Sequence, residues 1–128
     1  MALTSFKILL PALACLALAA PARAADADIV AARDAAQRGN LKALETLRAK
    51  TAGHVLEAYP EYWQLTATLD KASPETVRAF LARNADGPLA DALRADWLRG
   101  LGAARQWDLF RQEFSALAKE DPEIACYS

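Results

Sequence analysis

From residue 25 onward, apolar side chains recur at steps of three and four, and runs alternating apolar with polar at period two are absent, so helix is predicted nearly throughout. Asp26 or Asp28 is expected to open a first helix, "ADIVAARDAAQRG", with Gly39 as the left-handed residue that ends it. In "NLKALETLRAK", Asn40 is a cap and Leu41, Leu44 and Leu47 share one face. After a softer segment around Gly53, "YPEYWQLTATLD" carries Pro60 near its first turn and Tyr59, Tyr62, Trp63 and Leu69 as its buried side.

Ser73 caps "PETVRAFLARN", where Pro74 takes the first helical position, Glu75 favours the positive end of the dipole, and Val77, Phe80 and Leu81 form an apolar stripe. "PLADALRADWLRGLG" repeats Leu89, Leu93, Trp97 and Leu101 every four residues, with Gly100 and Gly102 marking its end. "WDLFRQEFSALAKE" shows Trp107, Phe110, Phe114 and Leu117 on one face. Finally "DPEIACYS" has the signature of another helix start: Asp121 as cap, Pro122 first, then Glu123.

Leu41, Pro74 and Trp107 open alternate helices 33 residues apart, and the buried candidates three positions further, Leu44, Val77 and Phe110, keep that interval. A unit of this size is one helical hairpin in a stacked array. The pattern therefore predicts an all-α fold, a superhelix or solenoid of stacked hairpins, with a closed helical bundle as the alternative. In a stacked array, an end without a cap or a further unit exposes the faces of Trp107, Phe110 and Phe114.

The first residues belong to a different class. Lys7 precedes "ILLPALACLALAA", residues 8–20, which carries no charge, and Ala22-Arg23-Ala24 supplies small residues at −3 and −1. This reads as a secretory signal, residues 1–24, cleaved between Ala24 and Ala25. A membrane anchor is the alternative, but the run would span only about 20 Å as helix against a core of roughly 30 Å. A lipoprotein signal at Cys15 is disfavoured by Ala12 at −3 and by the apolar sequence that follows.

Removing residues 1–24 takes away Lys7 and Arg23, leaving 13 basic against 16 acidic residues, a net of −3. That balance gives no basic patch for nucleic acid and leaves no stable membrane span. It leaves Cys126 as the one thiol, which is free, paired with another chain, or paired with sequence beyond these residues.

Chemistry is sparse. His54 is the single histidine, too few for an ordinary zinc site, and reads as a loop imidazole. Neither a phosphate-cradling glycine loop nor a nucleophile elbow occurs, and no cofactor or metal is called for. Glu45, Glu57, Glu75 and Glu113 are placed on solvated, ion-paired helix surfaces, and the charges of Arg94, Asp96 and Arg99 can pair between adjacent hairpins. Trp63, Trp97 and Trp107 are read first as packing residues; Tyr59 and Tyr62, whose hydroxyls tolerate water, are the candidates for contact with a sugar.

Taken in order, "YPEYWQL" at 59–65, "VRAFLARNADGPLADALRADWLRGLG" at 77–102, "QWDLFRQEF" at 106–114 and "ACYS" at 125–128 resemble the N-terminal superhelical domain of the soluble lytic murein transglycosylases. The resemblance covers essentially all of residues 25–128. It implies a periplasmic, muramidase-type α-superhelix forming part of a ring on which a separate lysozyme-like domain sits. There, one glutamic acid protonates the leaving oxygen and then acts as base while the muramoyl C6 hydroxyl closes a 1,6-anhydro ring. No Glu-Ser pair of the family's catalytic kind occurs in this chain, so no catalytic residue is carried over.

The resemblance makes residues 25–128 the N-terminal part of the scaffold, with peptidoglycan strands as the partner by way of the missing catalytic domain. It makes Cys126 a structural cysteine whose partner lies beyond these residues. By itself the chain is then inactive in peptidoglycan cleavage. The other functional class left open is a standalone exported helical-repeat protein that binds a protein or glycan without catalysis.

Overall fold

The computed structural model describes residues 20–117 and 121–128. The expected signal segment lies outside the described residues up to residue 19, and so does Cys15. Among the described residues seven helices form: α1 Ala20–Gln37, α2 Leu41–Lys50, α3 Ala58–Ala67, α4 Pro74–Arg83, α5 Pro88–Ala103, α6 Trp107–Phe114 and α7 Pro122–Ala125. Among the described residues there is no strand, so the fold is all-α. None of the described helices is long and apolar enough to cross a membrane.

The polar signals at most helix ends do what their chemistry dictates. Asn40 accepts from the Ala43 N–H at 3.1 Å, Ser73 accepts from the Thr76 N–H at 3.3 Å, and Asp121 accepts from the N–H groups of Glu123 and Ile124 at 2.9 and 3.2 Å. At the end of α1, Gly39 takes φ 67°, with Gly39 N–H bonded to Ala36 and Asn40 N–H to Ala35. That pair of bonds is a Schellman closure, which needs a left-handed residue at that position.

Several expectations are corrected. Neither Asp26 nor Asp28 opens α1: the helix is already formed at Ala20, the first described residue, and its backbone runs through the Ala24–Ala25 junction, because an alanine-rich stretch continues a helix at little cost. Asp26 instead binds His54. Gly100 and Gly102 do not end α5, which continues to Ala103. The closing residue is Arg105 at φ 57°, whose N–H bonds Gly102 while that of Gln106 bonds Leu101. Helix α6 stops at Phe114, short of the expected span, and residues 118–120 lie outside those described.

Burial follows the 33-residue interval at one phase and departs from it at another. Leu44, Val77 and Phe110 are all fully buried, whereas Leu41 and Trp107, the first residues of α2 and α6, are exposed. Glu113 sits one turn after Phe110, in the phase occupied by Leu47 in α2 and Phe80 in α4, and it is buried rather than solvated. Its Oε1 accepts from Arg78 Nε of α4 at 2.8 Å, so a charge pair replaces an apolar contact between the two helices. In α3 the buried residues are Pro60 and Leu65, while Tyr59, Tyr62, Trp63 and, just after the helix, Leu69 are half-buried.

The odd-numbered helices touch in succession, α1 on α3, α3 on α5 and α5 on α7. Helix α2 packs on α1 and α3, and α4 and α6 each pack on α5. Helix α3 is the wall between two apolar clusters. On one side lie Ala32, Ala35 and Leu44, with Trp63 against them; on the other, Leu65 joins the larger cluster around Val77, Phe80, Leu93, Leu98, Phe110 and Ile124.

The face expected to stay open on α6 is partly covered. Ile124 of α7 is fully buried, and the Tyr127 ring lies 6.2 Å from Trp107 and 6.3 Å from Phe110, centroid to centroid. Phe110 is sealed and stacks on Phe114 at 5.5 Å, which leaves Trp107 as the exposed member. Arg99 of α5 ties this arrangement down by pairing with Asp96 of its own helix and with Asp121 and Glu123 of α7.

Candidate functional site

Two concavities flank α3 and share Thr66 on their rims. The first, between α1 and α3, has a volume of about 460 Å³ and is lined by Arg33, Ala36, Gln37, Tyr62, Trp63, Thr66 and Ala67. The second, about 430 Å³, lies between the end of α3, α5 and the start of α6. Its floor is apolar, with Leu69, Trp97, Leu101 and Leu109, and its polar rim carries Thr66, Asp70, Asp96 and Gln106.

Both owe their shape to local sequence. Tyr62, Trp63, Thr66 and Ala67 fall at helical steps of one, three and one, which puts them on one side of α3. The alanines at 36 and 67 keep the first groove open, since neither fills the space between the helices. Gly100 does the same for the second, where a helical residue without a side chain lines the wall.

The two tyrosine candidates separate. Tyr62 lines the first groove, half-buried, with its ring 6.5 Å from Phe80. Burial first, and the Asp96 carboxylate next, push its phenol above the ordinary range, so the hydroxyl remains a neutral donor and acceptor at any physiological pH. Tyr59 is not among the residues lining that groove; its ring leans on Trp63 at 5.9 Å and a 54° tilt, buttressing the indole from behind. Trp97, 4% exposed, belongs to the core and shows only an edge to the second groove.

Asp96, Thr66, Gln106 and Arg33 complete the polar surroundings, and the sequence alone did not mark them as site residues. Asp96 was legible only as one of the α5 charges expected to pair between adjacent hairpins, and it pairs instead within its own helix, with Arg99 at 2.8 Å. Thr66 donates to the Tyr62 carbonyl at 2.8 Å, so its hydroxyl oxygen keeps acceptor capacity. What could have revealed these residues is their shared phase with Tyr62 and Trp63 on α3, or their place opposite it.

The arrangement is suited to holding a flat, hydroxyl-rich molecule: half-exposed rings beside fixed donors and acceptors, without a paired nucleophile and base. His54 lies elsewhere. Its Nδ1 accepts from the Leu56 N–H at 3.0 Å, which leaves Nε2 to donate to Asp26 at 2.9 Å, a contact that pins the loop after α2 to α1. Glu45, Glu57 and Glu75 are exposed as expected, but among the described residues none of the three forms the expected ion pair. Cys126 is exposed at the end of α7. Among the described residues no group of three His, Cys, Asp or Glu could hold a metal ion. Comparison with family models, with curated proteins and with solved structures finds no match to this chain.

Proposed function

We propose that this chain is the N-terminal superhelical scaffold of a periplasmic lytic murein transglycosylase, exported by residues 1–24, and that the grooves along α3 lie against peptidoglycan glycan strands. The observation that carries this reading is the 33-residue interval: Leu41, Pro74 and Trp107 are the first residues of α2, α4 and α6. Alongside it, the odd-numbered helices contact one another in succession, as the layers of a stacked-hairpin array do. Cleavage chemistry belongs, in this reading, to a lysozyme-like domain that these residues do not contain. In this reading Cys126, exposed at the end of α7, pairs with such further sequence.

The test is co-sedimentation with purified sacculi, followed by analysis of the soluble products. The chain is expected to pellet with sacculi, and Tyr62→Ala or Trp63→Ala is expected to weaken retention about two- to tenfold, the range of one aromatic contact. Absence of pelleting would sink the glycan contact. Release of 1,6-anhydromuropeptides by the chain alone would sink the assignment of cleavage to another domain.

A second reading, a standalone exported repeat protein, draws on α7. Ile124 and Tyr127 cover the α5–α6 face that a following hairpin would otherwise occupy. A stable monomer that ignores sacculi but captures a defined periplasmic protein would favour it.

A further inference from the structure

On the face of α3 turned away from Trp63 and Thr66 lies a third concavity, of about 550 Å³, at the helix N-terminus. Two arginines from different helices converge there. Arg83, in the last turn of α4, donates from Nη2 to Glu61 Oε1 at 2.6 Å. Arg48, in the last turn of α2, reaches the same oxygen from Nη2 at 3.4 Å and donates from Nη1 to Gln64 at 3.2 Å. One carboxylate oxygen thus serves two guanidinium groups.

Those contacts leave most of the guanidinium donors unused. Each guanidinium offers five N–H bonds in a planar fork, and the Arg48 and Arg83 side chains, which line this concavity, are 47% and 59% exposed. Glu61 at 20% exposure fixes both forks, so their orientation is set before anything binds. Glu57, the other acid on the wall, is engaged by the Gly53 N–H at 2.5 Å. It stands at the N-cap of α3 and makes no cap bond to the helix.

We infer that this pocket binds an oxyanion, a carboxylate or phosphate group of a small molecule, bridged between the outer edges of Arg48 and Arg83. Paired guanidinium forks match the planar spacing of carboxylate oxygens and the tetrahedral edge of phosphate. Glu61 acts as the resident anion that organises them and competes weakly with the ligand. The inference is independent of the murein reading, since neither arginine lines the grooves that reading uses.

The full chain is titrated with inorganic phosphate and, separately, with succinate, following the arginine side-chain N–H resonances. Saturable shifts of Arg48 and Arg83 are expected in the millimolar range with at least one anion, and which anion saturates assigns the class. Arg83→Gln is expected to weaken binding about tenfold or more, the loss of one charge-assisted fork. Glu61→Gln, which keeps an acceptor oxygen and removes the competing charge, is expected to tighten it. No shift with either anion up to about 20 mM, a concentration that still detects millimolar binding, would overturn the proposal. Unchanged affinity in Arg83→Gln, or unchanged or weaker affinity in Glu61→Gln, would do the same.

Discussion

Gly100 and Gly102 sit two positions apart in α5, yet a methyl group added at each would meet opposite surroundings. At Gly100 nothing lies within 4 Å of the added Cβ, so Gly100→Ala relieves the backbone entropy cost of a helical glycine and is expected to stabilise the fold by about 0.5–1 kcal/mol. At Gly102 the Cβ would stand 2.7 Å from the Tyr127 ring, inside van der Waals contact. Gly102→Ala is therefore expected to destabilise by about 1–3 kcal/mol, the usual range for overpacking, and to become harmless once Tyr127→Ala is also present. Thermal melts of the four variants decide it; a Gly102→Ala protein as stable as its parent would show that Tyr127 does not pack there. The sequence could not distinguish the two glycines, because the distinction lies in a ring 25 residues further along the chain that a fold must first deliver.

Among elements, α7 is held by charge as well as by Ile124. Asp121 both caps it and pairs with Arg99, and its carboxyl is held below the usual range chiefly by the Ile124 N–H; burial, the next largest effect, opposes this, and Arg99 and the Glu123 N–H add to the lowering. A carboxylate whose folded pKa is depressed contributes stability that is fully present above its unfolded value, 3.8, and is lost as pH falls through the lower folded value. Docking of α7, read from Trp107 fluorescence beside Tyr127, is expected to hold unchanged at neutral pH and to fade only below about pH 4; Asp121→Ala is expected to release it already at neutral pH. A signal insensitive to both would show that Ile124 alone holds the element. Helix ends like this one were legible beforehand, because Asn40, Ser73 and Asp121 act on backbone a few residues away. The Glu113–Arg78 pair was not, since an acid at a helical position reads as solvated until the neighbouring helix is in place.

Across the whole molecule, the two apolar clusters differ in substance. That of α1 and α2 rests on Ala32, Ala35 and Leu44, side chains that bury little area, whereas the other gathers Phe80, Leu93, Trp97, Leu98, Phe110 and Ile124. The amides of α2 are expected to exchange with solvent at least about tenfold faster than those of α5, through local opening of the α1–α2 pair. Equal protection in the two helices would mean the chain opens only as a unit. The helices of the described residues, the all-α class and the interval were legible because they are written in local periodicity. The grooves were not, since Thr66, Asp96 and Gln106 carry no signature until α3, α5 and α6 are set side by side.

The interval also singles out one of these residues. Asn40, Ser73 and Gln106 each precede a helix in the same phase, and the first two cap it while Gln106 makes no cap bond. Yet Gln106 has nearly the backbone of Asn40, φ −85° and ψ 66° against −84° and 78°. Gln106→Asn is expected to raise stability by about 0.5–1 kcal/mol, visible in a thermal melt; no gain would refute the shared geometry. The chain forgoes that stability at a residue that lines the second groove, so Gln106→Asn also tests whether a cap bond there draws the side chain off the groove's rim.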